Sequence, residues 1–245
     1  MRARHQTGVT LLELLIAVTL LSILSVGILM AMRVALDALG KSNGKLMDNR
    51  RVAGAQRVLE QQIAGFMPAK MICATDPAGP GAQVAFFEGQ PQTMRFVSTY
   101  SLQEAWRGVA RILELQVIPG DQGRGVRLVV NETPYSGPLS AGRSCVGMAP
   151  NPESGQILPQ FAPVRTGPQS FVLADKLASC RFWYLQAAKP PVPEQWRPDW
   201  VLPRWPKGVR VEIVPIEDNP ARLRPLTITG AINTNRDPDI AYVDY

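Results

Sequence analysis

Histidine is almost absent from this chain of 245 residues, whose only imidazole belongs to His5. Ser-His and Cys-His nucleophile pairs, histidine general bases and histidine-ligated metals all need an imidazole inside the folded protein. If the first residues are removed or lie apart from the fold, the working protein contains none. The sequence therefore predicts a protein that is not an enzyme, with no catalytic residues, no metal site and no cofactor.

Cysteine is also scarce, and its three residues, Cys73, Cys145 and Cys180, lie far apart without a C-x-x-C pair. That spacing excludes the usual zinc and thioredoxin-like motifs. If the body of the protein lies outside the cytoplasm, two of the three form a disulfide and one thiol is left over. Three pairings remain open, and three buried free thiols are an equal alternative.

Clustered charge is missing as well. The formal net charge is +6, but lysine and arginine are scattered and are not interleaved with aromatic residues, so a nucleic-acid surface is not favoured. Near the C-terminus Asp237, Asp239 and Asp244 lack the regular spacing of an EF-hand loop, and this favours a solvated tail over a calcium site.

What the sequence does have is one long apolar run, from Val9 to Met32, with Glu13 as its single ionisable residue and no proline. As a helix it spans about 36 Å, enough for a hydrocarbon core of about 30 Å. The apolar part of a secretory signal peptide is normally shorter, about 7–15 residues. The run therefore predicts a transmembrane helix.

Glu13 is costly in such a helix, by about 2.5–3.5 kcal/mol on insertion scales. Cleavage just before Val9 would expose an α-amine four residues away at the end of the same helix. In an assembled bundle, Glu13 of one subunit would pair with that amine on a neighbour and fix the axial register. The carboxylate thus points to a processed protein that assembles through this helix.

The stretch Gly8-Val9-Thr10-Leu11-Leu12-Glu13-Leu14-Leu15-Ile16-Ala17 resembles the prepilin cleavage and methylation motif of type IV pilins and pseudopilins. The leader before it is short and basic, as in that class, although the first mature residue is Val where the class usually has Phe or Met. The resemblance implies that prepilin peptidase cuts between Gly8 and Val9. It also implies N-methylation of Val9 and a role for Glu13 in assembly.

The same resemblance implies an α+β fold, with a long N-terminal helix followed by an antiparallel β-sheet head that carries long Pro/Gly-rich loops. It divides the chain into a cleaved leader (1–8), a transmembrane helix (9–32), an amphipathic continuation of the helix (33–66) and an extracytoplasmic head (67–245). The protein would cross the bacterial inner membrane once, with its N-terminus in the cytoplasm and its head in the periplasm, before entering a fibre. Its partners would be other minor and major pilins or pseudopilins, prepilin peptidase and the inner-membrane assembly platform.

Periodicity supports this division. Val52, Ala55, Leu59 and Ile63 form one helical apolar stripe, and Pro68 marks its end. Beyond it, alternating apolar residues predict strands. The predicted strands, separated in the middle by a Pro/Gly-rich stretch over 133–170, cover Thr93–Thr99, Leu113–Val117, Val126–Val130, Cys180–Tyr184, Val209–Ile213 and Leu226–Ile232.

Between Gln186 and Gly208 lie six prolines and three tryptophans, Trp196, Trp200 and Trp205. Proline excludes a central strand here and predicts an ordered loop. Its large amphipathic rings either cover the sheet of the head, which is the favoured interpretation, or contact a partner. The basic residues of this region, Arg197, Arg204, Lys207 and Arg210, leave DNA uptake as a weaker alternative.

A second resemblance covers residues 171–216, where Cys180-Arg-Phe-Trp-Tyr, a Trp/Pro insertion and Gly208-Val-Arg-Val-Glu-Ile follow one another. This order is similar to the J-type minor pseudopilin of type II secretion and to PilW-like minor pilins. It implies a subunit of a tip complex that primes fibre assembly. The alternatives are a minor pilin for adhesion, motility or DNA uptake and, from another class, a membrane-anchored extracytoplasmic enzyme.

Overall fold

A long helix precedes a β-rich head in the computed structural model. The structure describes residues 11–73, 81–102, 104, 107–152, 155–216 and 225–232, and for residues 37–53 and 107 it describes the backbone alone. The chain divides into two units, Met1–Asp48 and Asn49–Tyr245. The predicted α+β class, with an antiparallel sheet after a long helix, is confirmed.

All of the described strands follow the long helix along the chain. In chain order the helices and strands are α1 (Leu11–Ala64), β1 (Phe66–Met67), β2 (Lys70–Cys73), β3 (Ala82–Ala85), β4 (Glu88–Gly89), β5 (Thr93–Tyr100), β6 (Arg107–Pro119), β7 (Val126–Pro134), α2 (Pro138–Gly142), β8 (Cys145–Pro150), β9 (Ile157–Phe161), β10 (Phe171–Gln186), β11 (Gln195–Arg197), β12 (Gly208–Pro215) and β13 (Leu226–Ala231). A 3-10 turn, Asp121–Gly123, joins β6 to β7.

The last turns of α1 belong to the head. The amide of Gly65 donates to the carbonyl of Gln61, and the chain then turns directly into β1. Ala55, Leu59 and Ile63, three members of the predicted apolar stripe, are buried in the main core of the head. Residues at steps of four lie on one face of a helix, so this face packs on the sheet.

A nine-stranded antiparallel sheet forms the centre of the head. Its main path runs β1-β5-β6-β7-β10-β12-β13, with β4 paired to β5 and β11 paired to β10. The longest continuous register, from Arg111↔Pro134 to Pro119↔Val126, joins β6 to β7 across the turn formed by residues 120–125. Each predicted strand is present.

A different cluster of buried residues packs on each face of the sheet. Successive residues of a strand point to opposite faces, and the pair Phe96↔Leu113 belongs to the main core with α1. The next pair, Val97↔Ile112, belongs to a second, smaller core on the other face. We call the α1 side the inner face and the opposite side the outer face.

An accessory layer covers the outer face at its β5–β6 end. It contains the β2–β3 hairpin, α2 and the β8–β9 hairpin, and Met71, Phe86 and Ala141 bury their side chains in the second core. The Pro/Gly-rich stretch 133–170, where the sequence predicted no strand, contains α2 and the β8–β9 hairpin. Its strands do not show the period-two apolar pattern, because each of them buries little of its length.

Arg95 ties the accessory layer to the sheet. Its side chain is 2% exposed, and its guanidinium contacts Glu88 at 2.6 Å and Glu114 at 2.8 Å. It also donates to the carbonyl of Ala162, just after β9, and lies over the ring of Phe161. An arginine that lost these partners would leave a charge buried without compensation, so the cluster fixes where the accessory layer sits.

Candidate functional site

The N-terminal part of α1 is long and apolar enough to cross a membrane. The span Leu11–Leu36 has 26 residues, and none of it is buried within the protein. At about 1.5 Å per residue it measures about 39 Å, more than a hydrocarbon core of about 30 Å. Its leucine, isoleucine and valine side chains are exposed on the surface of the helix.

Hydroxyl groups in this span are satisfied by the helix itself. Thr19 donates to the carbonyl of Ile16, Ser22 to that of Val18 and Ser25 to that of Leu21, each at 2.8 Å. Such back-bonding removes the cost of an unpaired hydroxyl in hydrocarbon. The polar residues Thr19, Ser22 and Ser25 are thus compatible with lipid.

Glu13 lies in the first turn of α1. A carboxylate at this end of a helix interacts favourably with the helix dipole. The predicted processing residues, Gly8 and Val9, lie outside the described residues, as do Asp237, Asp239 and Asp244. Glu13 itself is described, and it lies exposed near the beginning of the membrane-length segment.

The three cysteines separate into a pair and a single thiol. The structure joins Cys73, at the end of β2, to Cys145, at the start of β8, by a disulfide. Cys180 is free and buried in β10, where burial raises the pKa of its thiol to about 12. A thiol of this kind is protonated and shielded, which is the behaviour of a small core residue and not of a nucleophile.

Two of the three candidate contact tryptophans belong to the core of the head. Trp200 and Trp205 are 9% and 8% exposed and pack in the main core, with Trp200 edge-on to Phe87. Their rings cover the sheet of the head, the interpretation that the sequence favoured, and leave little free surface for the alternative of a partner contact. Only Trp196, on the edge strand β11, remains a candidate, and the guanidinium of Arg210 lies 4.1 Å from its ring centre.

The basic residues of the Trp/Pro loop are partly neutralised. Lys207 pairs with Glu194 at 2.5 Å, and Arg210 is stacked on Trp196. A DNA-binding surface needs several cations that are free to approach phosphates. The arrangement gives little support to DNA uptake.

The sequence did not predict an open cleft on the outer face of the head. The cleft has a volume of about 450 Å³ and lies between the turn 90–93, the outer side of β10 at 181–183, and Pro198. We call it the outer cleft. Its lining comes from β10, from the turn between β4 and β5, and from Pro198.

One wall of the outer cleft, the turn after β4, is held rigidly by hydrogen bonds. Four consecutive carbonyls accept hydrogen bonds from other elements: Gly89 from the Trp200 amide, Gln90 from the Tyr184 hydroxyl, Pro91 from the Phe182 amide and Gln92 from the Val117 amide. The side chains of Gln90, Pro91 and Gln92 are nevertheless exposed. The backbone of this wall is therefore held in place, while its side chains are accessible to solvent.

The floor of the outer cleft presents an arginine beside a tryptophan. Trp183 donates its indole N–H to Glu212 at 2.9 Å, so the ring cannot turn freely. Arg181 is exposed two residues earlier on the same side of β10 and makes no ion pair with any residue that the structure describes. The alternation Arg181-Phe182-Trp183-Tyr184 predicted this face, but the turn 90–93 that completes the cleft comes from a distant part of the chain.

Residues 3–29 match the family model described as the prokaryotic N-terminal methylation motif. No curated protein matches the chain significantly. The match covers the predicted cleavage site, Glu13 and the first part of the membrane-length helix.

Proposed function

The chain belongs to the type IV pilin/pseudopilin class, and from this premise we propose that it is a minor pseudopilin or pilin that helps to prime fibre assembly at the tip. The class itself implies a membrane-anchored structural subunit that is processed by prepilin peptidase and assembles with other pilins. The observation that carries the assembly role is Glu13 in the first turn of a membrane-length helix that matches the methylation motif.

Processing connects this observation to assembly. Cleavage between Gly8 and Val9 removes the leader and creates a charged amine at Val9, which the peptidase then methylates. In the fibre, Glu13 of this subunit pairs with the N-terminal amine of a neighbour, and each charge offsets the desolvation of the other. Such a pair sets the register between neighbouring helices more than it adds net stability.

A role in a tip complex of type II secretion is supported by the order of elements in residues 171–216. Strand β10, the Trp/Pro loop with its short strand β11, and strand β12 follow one another in the order that resembles J-type minor pseudopilins. The protein would sit in the bacterial inner membrane with its head in the periplasm before it enters the fibre. A minor pilin for adhesion or motility is the second candidate, because PilW-like pilins have a similar order.

The enzyme alternative has weaker support. Two described carboxylates of the head, those of Glu88 and Glu114, both contact Arg95. This arrangement uses the charged groups to hold layers together and leaves neither carboxylate open to a substrate. A structural role accounts for the cluster fully.

Subunit counting in sheared fibres tests the proposal. We expect the mature chain to begin at Val9 with a methylated amine and to be present at a small fraction of the major subunit by quantitative mass spectrometry. Deletion of its gene should lower the number of fibres more than their length, because a tip complex acts at initiation. A chain that keeps Met1, or that forms the bulk of the fibre, would contradict the proposal.

A further inference from the structure

The outer cleft lies in the head, and neither the processing of the N-terminus nor the contacts of the membrane helix give it a role. We propose that it binds an extended segment of a neighbouring pilin-like head, and that a carboxylate of this segment pairs with Arg181. The inference rests on the proposed function, because it requires other pilin-like heads beside this one. It adds a specific contact between heads to the contact between helices.

Rigidity is the first argument for binding. The carbonyls of Gly89, Gln90, Pro91 and Gln92 all accept hydrogen bonds from the rest of the head, at 2.8–3.0 Å. A wall fixed in this way loses little conformational entropy when a ligand arrives, so more of the contact energy appears as affinity.

Charge gives the chemistry of the ligand. Arg181 lines the outer cleft and is exposed to solvent. Glu212, directly opposite it in the register between β10 and β12, binds the Trp183 indole N–H instead. A guanidinium offers several N–H donors in a planar fork that matches a carboxylate. An acidic side chain is therefore the complementary group.

The walls favour polypeptide over nucleic acid. Pro91, Pro198 and Trp183 offer apolar and aromatic surface, and Gln90 and Gln92 line the cleft beside them. Aromatic surface in a groove is a recurring feature of sites that bind extended polypeptide segments. A nucleic acid would need a row of free cations, whereas the nearby Lys207 and Arg210 are engaged with Glu194 and Trp196.

Site-specific photo-crosslinking in the source bacterium tests the inference on the full chain. A photoreactive amino acid replaces Gln92 at the cleft, and in a control chain it replaces Gln83, an exposed glutamine on the accessory layer. We expect Gln92 to give an adduct with the head of another chain that carries the same N-terminal motif. Mass spectrometry should map the adduct within a few residues of Asp or Glu, and Gln83 should not give it.

Substitution of the arginine tests the ion pair. Arg181→Gln should lower the yield of the adduct about fivefold, the change that corresponds to about 1 kcal/mol. Arg124→Gln, at an exposed arginine in the β6–β7 turn, should leave it unchanged. Arg181→Glu should abolish the adduct, and replacing the mapped carboxylate of the partner by arginine should restore it.

Several results would overturn the inference: an adduct with nucleic acid or lipid, equal adducts from Gln92 and Gln83, or a yield that Arg181→Gln does not change. The presence of the chain in sheared fibres separates the two proposals. If the chain is in fibres but Gln92 gives no adduct with another head, the cleft inference fails and the proposed function stands. If the chain never enters fibres, both fail.

Discussion

The hydroxyl of Tyr184 donates a hydrogen bond to the backbone carbonyl of Gln90 at 2.9 Å. The donor lies on the inner side of β10, in the main core, and the acceptor lies in the turn that walls the outer cleft. Burial raises the pKa of this phenol well above its ordinary value, and the nearby charge of Glu88 adds to the shift. The bond thus connects the interior of the head to its candidate contact surface.

Tyr184→Phe should therefore loosen the turn without leaving a large cavity. The substitution leaves the partly buried carbonyl of Gln90 without its donor, which costs about 1–3 kcal/mol. The free energy of unfolding, measured by chemical denaturation of the protein in detergent, should fall by that amount. Tyr100→Phe is the matched control, since the hydroxyl of Tyr100 makes no hydrogen bond among the described residues. Equal effects of the two substitutions would show that the bond to Gln90 contributes nothing.

The contact between α1 and β13 makes a second prediction. Gly230 has no room for a Cβ atom, because the side chain of Ile63 occupies that space. Gly230→Ala should destabilise the head by about 1–3 kcal/mol through overpacking. Gly54→Ala, on an exposed side of α1 with no atom within 4 Å of the added methyl, should instead stabilise the helix by up to about 1 kcal/mol. Thermal unfolding of the two variants distinguishes these opposite signs.

The sequence predicted much of the inner face and little of the outer one. Leu113, Leu115 and Val117 alternate with polar residues, and the structure buries all three in the main core, as it does the helical stripe that ends at Ile63. These elements are long and each buries one regular face. Periodicity therefore carries their signal.

The structure of the outer face depends on long-range contacts, which the apolar pattern of the sequence does not predict. The β8–β9 hairpin is short, and its place is set by the disulfide at Cys145 and by the contacts of Arg95 with Phe161 and Ala162. The outer cleft likewise needs the turn 90–93 to meet β10, about ninety residues later, through the bonds to Phe182 and Tyr184. Such long-range pairings are properties of the fold and not of any local segment.

The Glu88 carboxyl predicts a pH dependence of stability. Burial is the largest influence on it and raises its pKa above 4.5, even though Arg95 opposes the shift. The folded state then holds this proton more tightly than the unfolded state. The contribution of Glu88 to the free energy of unfolding is therefore fully present below pH 4.5 and is lost as pH rises through the folded pKa. Glu88→Gln removes the titration. Its free energy of unfolding relative to the wild type should increase from pH 4.5 to pH 7.

Glu194→Gln controls for the loss of one negative charge, because Glu194 lies on the surface beside Lys207. Chemical denaturation at several pH values measures both variants. A difference between wild type and Glu88→Gln that stays constant over this range would contradict the direction given for the pKa of Glu88.

The cysteines predict a simple pattern of alkylation. In the folded, non-reduced protein no thiol should react, because Cys73 and Cys145 form a disulfide and the Cys180 thiol is buried with a pKa of about 12. Unfolding without reductant should expose one thiol, and unfolding with reductant all three. Intact-mass spectrometry counts the added groups. Replacing both Cys73 and Cys145 by serine should lower stability by about 2–5 kcal/mol.

Glu13→Ala separates insertion into the membrane from assembly. Removing the carboxylate should leave insertion intact or improve it, by about 2.5–3.5 kcal/mol on insertion scales. In the fibre, however, the methylated amine of a neighbour would lose its partner, and an uncompensated buried charge is costly. Incorporation into sheared fibres should fall about tenfold or more, which corresponds to a loss of about 1.4 kcal/mol or more. Thr19→Ala, in the same span but with its hydroxyl bonded to its own helix, should assemble normally. If Glu13→Ala enters fibres at the level of Thr19→Ala, the carboxylate does not pair with a neighbouring amine and the register of the helices is set by apolar packing alone.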